Sequence, residues 1–286
     1  MPTAQVIKMY NGFYYLQVAG QEELLSCRLR GRIKRNKGAV VTGDYVEYQM
    51  LEDGTGVIER CLPRRTLLKR PAVANIDQVL ITFAARQPDL NQLLLNRFLV
   101  LAEWSGIPEI VICINKCDLL EEKADFLQDY VQAGYKLLMV SAQEGQGIQE
   151  LKNLLTGRVT VFAGPSGVGK SSLLNSLYPD FTRKVDALYV NSGRGRHTTK
   201  EVILLPYPDG FLFDTPGFSD LELQEMTRLD LASCFPGYAL YKDKCQFTDC
   251  LHLPQSKGCH VREEIGKELS EDSYQNYIKI SEEVKE

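Results

Sequence analysis

Residues 164–171 read Gly-Pro-Ser-Gly-Val-Gly-Lys-Ser, and no other stretch of the 286-residue chain narrows the possible folds as much. A GxxxxGK[ST] run works only as the loop between a strand and a helix. Its glycines let the backbone curl so that N–H groups point at phosphate oxygens, and the helix that follows adds a favourable dipole. The flanks agree: Val159 to Ala163 is strand-like and Lys170 to Leu177 helical. In such a loop Lys170 reaches the β- and γ-phosphates of a nucleotide and the Ser171 hydroxyl ligates Mg²⁺. Gly164, Pro165, Ser166, Gly167, Val168, Gly169 and Ser172 complete the cradle. By average residue usage, a chance match in a chain this long is roughly one in a hundred.

The surrounding sequence alternates strands and helices, the pattern of a mainly parallel α/β sheet. Strands are expected at 79–83, 110–114, 136–140, 159–163, 202–205 and 211–213. Helices are expected at 93–105, 124–133, 148–155 and 170–177. Three more motifs end strands. Asn115-Lys116-Cys117-Asp118 fits NKxD, in which the Asp118 carboxylate accepts both N1–H and N2–H of guanine. Adenine offers no such pair, so the nucleotide is GTP or GDP, with Asn115 and Lys116 bracing the loop. Ser141-Ala142 fits the second base-contacting loop. Asp214-Thr215-Pro216-Gly217 fits DxxG, with Asp214 reaching Mg²⁺ through water and the Gly217 N–H facing the γ-phosphate.

The order of these motifs is unusual. NKxD and Ser141-Ala142 precede the phosphate loop, and DxxG comes last, so the domain is circularly permuted. Cutting and rejoining surface loops leaves strand positions unchanged. The first switch loop is expected at Ser192-Gly193-Arg194-Gly195-Arg196-His197-Thr198-Thr199, where glycines and polar residues predominate. Thr198 or Thr199, with Thr199 preferred, senses Mg²⁺ and the γ-phosphate. The residue after DxxG is Phe218, where Ras-like enzymes use Gln to orient the attacking water. Phe cannot do so, and His197 is the nearest substitute in sequence. The alternative is a surface histidine of that loop with no catalytic part.

The net charge of −4 conceals an asymmetry: residues 1–70 carry 12 Lys/Arg against 7 Asp/Glu, and the rest is acidic. A basic head suits a polyanion. Short aromatic and β-branched runs at 12–18, 24–33, 45–48 and 56–60, separated by turn residues, predict a small β-barrel, an OB-fold by preference. Within it Arg28, Arg30, Arg32 and Lys34 recur every second residue and would share one strand face. Arg35 and Lys37 extend the stripe, and Tyr10, Tyr14 and Tyr15 lie nearby, a combination suited to RNA. Residues 63–71 read as a linker.

Of eight cysteines, Cys245, Cys250 and Cys259 crowd together around His252. Four such donors close a tetrahedral Zn²⁺ site with no open position, so the metal is structural. His260 is a rival for one position. The tail after it is polar, helical and acidic. No apolar run approaches the ~20 residues of a membrane span. The start, Met1-Pro2-Thr3-Ala4-Gln5, lacks a secretory pattern, which makes the cytoplasm the expected compartment.

Taken together, NKxD, Ser-Ala, GPSGVGKSSL, GRGRHTT, DTPG and C-x4-C-x-H resemble the RsgA (YjeQ/YloQ) family of ribosome small-subunit-dependent GTPases, over essentially the whole chain. The resemblance implies an OB-fold over residues 1–70, a permuted α/β P-loop GTPase domain over 71–222 and a zinc-binding, mainly helical domain over 223–286. It implies a role in late maturation of the 30S subunit, with hydrolysis stimulated by that subunit; 16S rRNA is the expected RNA partner, and the chain is expected to be a monomer. It also makes His197 the catalytic histidine and Cys245, Cys250, His252 and Cys259 the zinc ligands. Two other classes compete: a nucleotide-gated RNA-binding factor with incidental turnover, kept open by Phe218, and a signalling or transport GTPase, opposed by the basic barrel.

Overall fold

The computed structural model describes residues 1–21, 23–31, 40–69, 72–120, 126–178, 203–214 and 223–285. Arg32, Lys34, Arg35, Lys37, the expected switch loop with His197, Thr198 and Thr199, and Gly217 lie outside the described residues.

Five strands open the chain: β1 Thr3–Tyr10, β2 Phe13–Gln17, β3 Leu25–Leu29, β4 Tyr45–Met50 and β5 Gly56–Cys61. They close into a barrel of order β1-β2-β3-β5-β4. The β3–β5 pair is parallel and the others antiparallel. Alternation sends Leu25 and Cys27 of β3 inward beside Val6, Leu16, Val46 and Ile58, while Arg28 is exposed. Strand β1 was not expected from the sequence. A bulge between Val6 and Lys8 breaks its period, as an extra residue in one strand does.

The stretch after the barrel is not a plain linker. Within it β6, Leu67–Lys69, pairs antiparallel with β7, Ala72–Ala74. Arg64 places two guanidinium nitrogens 2.7 and 2.8 Å from the fully buried Asp44 carboxylate. Asp44 also accepts the Val41 N–H at 2.7 Å. A buried carboxylate is tolerated only with such partners.

The remaining strands are β8 Gln78–Ala84, β9 Glu109–Asn115, β10 Lys136–Met139, β11 Val159–Ala163, β12 Leu204–Tyr207 and β13 Gly210–Asp214. They form a six-stranded sheet of order β10-β9-β8-β11-β13-β12. The β9–β10 and β11–β13 pairs are parallel, and β12 is antiparallel to β13. β8 and β11 are buried throughout, which is why they read as continuous apolar runs rather than alternations. Helices α1 Gln92–Trp104, α2 Leu127–Gln132, α3 Ile148–Leu155 and α4 Lys170–Leu177 separate them.

By compactness the chain divides into two units. One comprises Met1–Gln78, Asn153–Phe162 and Tyr178–Phe218; the other comprises Val79–Lys152, Ala163–Leu177 and Ser219–Glu286. The first is built on the barrel core. In the second, α5 Arg228–Cys234 and α7 Glu271–Ser281 pack with α1, and α6 His260–Glu263 adds Val261 to the same core. Their shared core contains Val100 and Leu101 of α1 with Phe235, Tyr238, Val261, Tyr277 and Ile280. Thr227 starts α5 with a reciprocal cap, accepting the Asp230 N–H at 3.1 Å while Asp230 accepts the Thr227 N–H at 3.0 Å. No helix among the described residues is long and apolar enough to cross a membrane.

Candidate nucleotide site and metal cluster

Asn115, Gly164 and Asp214 stand at the C-terminal ends of β9, β11 and β13, and Ser141 follows β10 by two residues. In α/β sheets ligands are held at the C-terminal ends of parallel strands. Phe162 and Asp214 are register partners, so DxxG begins one strand away from the phosphate loop.

Asn115 ties three loops together. It is 1% exposed. Its Nδ2 donates to the Val168 carbonyl at 2.9 Å, and its Oδ1 accepts the Ala142 N–H at 3.2 Å. One side chain thus joins the NKxD loop to the Gly164–Ser171 loop and to the Ser141-Ala142 loop. Gly169 is required by this closeness: a Cβ there would lie 2.4 Å from Asn115 Nδ2, and its φ is +92°. Gly164 is required likewise, since its Cβ would lie 2.0 Å from the Thr82 carbonyl.

Lys116, in the left-handed region with φ 56°, donates through Nζ to the Gly167 carbonyl at 3.1 Å and to the Gln87 carbonyl. Gln87 was not singled out in the sequence; it sits in the loop after β8, where Gln-Pro reads only as a turn. Asp118 stands exposed in the 3₁₀ turn Cys117–Leu119. That turn is bound to the end of β10 by Cys117 N–H to Val140 O at 3.1 Å. Ser141 is fully buried. Its N–H donates to Gln146 O at 3.0 Å, and its Oγ accepts the Glu144 N–H at 3.1 Å.

Lys170 folds over its own loop, donating to Gly164 O at 2.7 Å and Pro165 O at 2.8 Å. Ser171 and Ser172 are exposed in the first turn of α4. Two neutral carbonyls are weaker partners for an ammonium than phosphate oxygens.

The metal-type cluster is assembled as expected. One donor atom each from Cys245, Cys250, His252 and Cys259 lies within 4.8 Å of the others. His252 Nδ1 is 3.3 Å from Cys259 Sγ and 3.8 Å from Cys245 Sγ. The donors of a tetrahedral ion bound at the lengths usual for nitrogen and thiolate sulfur are about 3.5–3.8 Å apart, so the residues fit. Burial foremost, with Lys242 adding to it, pulls the His252 imidazole down to about 4. Burial pushes the Cys259 thiol up to about 12. His252 itself is held by the Tyr274 hydroxyl on its carbonyl at 3.1 Å, with the Tyr238 ring edge-on at 5.3 Å. His260, the rival, turns away to Glu263 at 3.1 Å.

On the barrel, Arg28 and Arg30 are both exposed, but strand β3 ends at Leu29. Arg30 is ion-paired with Glu59, which cancels part of the expected stripe.

A family model described as RsgA GTPase matches residues 61–224, and one described as RsgA N-terminal domain matches residues 3–58. The small ribosomal subunit biogenesis GTPase RsgA of Moorella thermoacetica is 46% identical over 258 residues, covering 90% of this chain and 88% of that protein. The protein so named from Geobacillus sp. (strain WCH70) is 40% identical, covering 100% and 98%. Among solved structures, YloQ, described as a circularly permuted GTPase, superposes with a TM-score of 0.82 at 34% identity, covering 99% of this chain and 94% of that one. YjeQ from Thermotoga maritima gives 0.81 at 34% identity, covering 99% and 98%.

Proposed function

The chain belongs to the RsgA GTPase family, and from that premise we propose that it binds the 30S ribosomal subunit and acts in its late maturation, hydrolysing GTP to GDP and phosphate when the subunit stimulates it. The family is one of GTP-hydrolysing enzymes. Its curated relatives are named for small-subunit biogenesis. The observation that best supports the nucleotide reading is Asn115, which joins a guanine loop to a phosphate loop that follows it in the chain.

In this reading GTP lies on the loop Gly164 to Ser172. Asp118 takes the guanine edge, with Lys116, Ser141 and Ala142 around the base. Lys170 leaves its two carbonyls for the β- and γ-phosphates. Ser171, Asp214 and Thr199 (or Thr198) hold Mg²⁺, which when bound neutralises charge on the phosphate oxygens. The Gly217 N–H faces the γ-phosphate. His197 takes the place that Phe218 cannot fill: a neutral imidazole accepts a hydrogen bond from the attacking water and so orients it. Positioning supplies most of the acceleration.

The Cys245, Cys250, His252 and Cys259 cluster holds one structural Zn²⁺, the metal that four closed N/S donors suit. Three domains are proposed, 1–70, 71–222 and 223–286, in a cytoplasmic monomer. The barrel is assigned to 16S rRNA, with Arg28, Arg30, Arg32, Lys34, Arg35 and Lys37 as candidate contacts.

The test is GTP turnover with and without purified 30S subunits, beside co-sedimentation in GDP and in a non-hydrolysable GTP analogue. We expect faster turnover with subunits and tighter pelleting with the analogue. Unchanged turnover together with no pelleting would overturn the ribosomal assignment.

A further inference from the structure

The register of the first three strands separates two sets of side chains. Met9, Tyr14 and Cys27 are cross-strand neighbours and belong to the barrel core or pack against it. In the same ladders Tyr10 pairs with Phe13, Lys8 with Tyr15, and Tyr15 with Ser26. Cross-strand partners share a face, so these residues and Arg28 lie on the face turned away from the barrel interior, where Lys8 is buried and Arg28 exposed. Tyr14, one of the tyrosines that the sequence suggested for RNA, points inward; Phe13, which it did not, points out.

None of the outer rings is part of the barrel core, and each is half-buried. The Arg28 guanidinium carbon lies 4.6 Å from the Phe13 ring centroid, and the Lys8 ammonium 4.6 Å from that of Tyr15. No carboxylate stands anywhere on β1, β2 or β3. Further round the barrel Arg30 is ion-paired with Glu59 and Arg60 with Glu47.

We propose that this outer face is a platform for two neighbouring unpaired bases of an RNA strand, one stacked on Tyr15 and the other on the Phe13–Arg28 pair. The proposal rests on the RNA-binding reading above and makes it specific. Phe13 and Tyr15 are two residues apart on one strand, about 6.6 Å. That is about twice the ~3.4 Å rise of stacked bases. Two bases seated on these rings are therefore parted from each other, which a loop, bulge or free strand permits and a duplex does not. Lys8, itself buried, holds the Tyr15 ring from one side. Arg28 is exposed and offers its plane to a base and its N–H groups to the adjoining phosphate. The exposed Arg28 beside two aromatic rings suits a stacked base with its anionic backbone.

The experiment measures binding of the full chain to a labelled short oligouridine and to a duplex RNA of equal length, with 30S pelleting alongside. Phe13→Leu and Tyr15→Leu keep apolar bulk but remove the aromatic face. Each should weaken oligouridine binding roughly 5- to 100-fold, the effect of one stacked base. Phe13→Trp should restore it, and Arg60→Ala, at a cation paired with Glu47, should change it less than about 2-fold. The duplex should bind more weakly than the single strand. Leucine variants that bind oligouridine as well as the parent, or a duplex that binds equally well, would overturn the platform. Failure of the parent chain to pellet with 30S subunits, with the oligouridine losses intact, would instead count against the ribosomal reading alone.

Discussion

In the proposed reading Asp118 takes the guanine edge from an exposed turn, beside the buried Asn115 and Ser141. Asp118→Asn should weaken GTP binding about 10- to 100-fold, the range of a lost charged hydrogen bond. It should favour xanthine nucleotides, whose 2-oxo group suits an amide. Titration with both nucleotides checks this, and equal GTP affinity would remove NKxD from the base site. The tie behind it is tested at Gly169. An added methyl lies 2.4 Å from Asn115 Nδ2, and the left-handed backbone adds about 1–3 kcal/mol of strain. Gly169→Ala should therefore cost at least about tenfold in GTP affinity by calorimetry, with the circular dichroism of the fold retained. Residue types at fixed spacing made the Asn115, Asp118 and Lys170 positions readable. The carbonyls of Gln87, Val168 and Gly167 were not readable, because a backbone acceptor is the same whatever the side chain.

Helices α3 and α4 and strand β11 fall where their patterns predict, 148–155, 170–177 and 159–163, because each is a single uninterrupted period beside a clear turn. Misses follow broken periods. Strand β1 hides behind its bulge and its buried Gln5 and Lys8. β6 and β7 have three residues each, too few to show a period, and follow Pro63-Arg64-Arg65. β12 was expected to end before Pro206 but includes it, which an edge strand allows. In the C-terminal element the Cys/His cluster adjoins the aromatic core: the Tyr238 ring lies 4.8 Å from that of Phe235 and 5.0 Å from that of Tyr277, and meets His252. The purified protein should carry one zinc per chain by elemental analysis. Cys250→Ala should lose it and expose residues 223–286 to limited proteolysis, since a structural metal contributes directly to folding. A carefully reduced sample without zinc would refute the assignment.

For the whole molecule, the proposed division of labour separates binding from turnover. His197→Ala should keep GTP and 30S binding but lose the subunit-stimulated rate by roughly 10²–10⁴-fold, the usual contribution of a positioned acid–base group. Lys170→Ala should impair nucleotide binding itself. Steady-state turnover with 30S subunits beside direct binding separates the two, and a normal stimulated rate in His197→Ala would leave that histidine without a catalytic part. The closed barrel carries one more consequence. All five of its strands lie within Thr3–Cys61, whereas the phosphate loop begins at Gly164. Domains made first fold first, and translation adds about 5–20 residues per second. The barrel therefore emerges complete roughly 5 to 20 seconds before the chain has any means of holding phosphate. Each new molecule passes through a short infancy in which its proposed grip on RNA exists and its nucleotide timer does not.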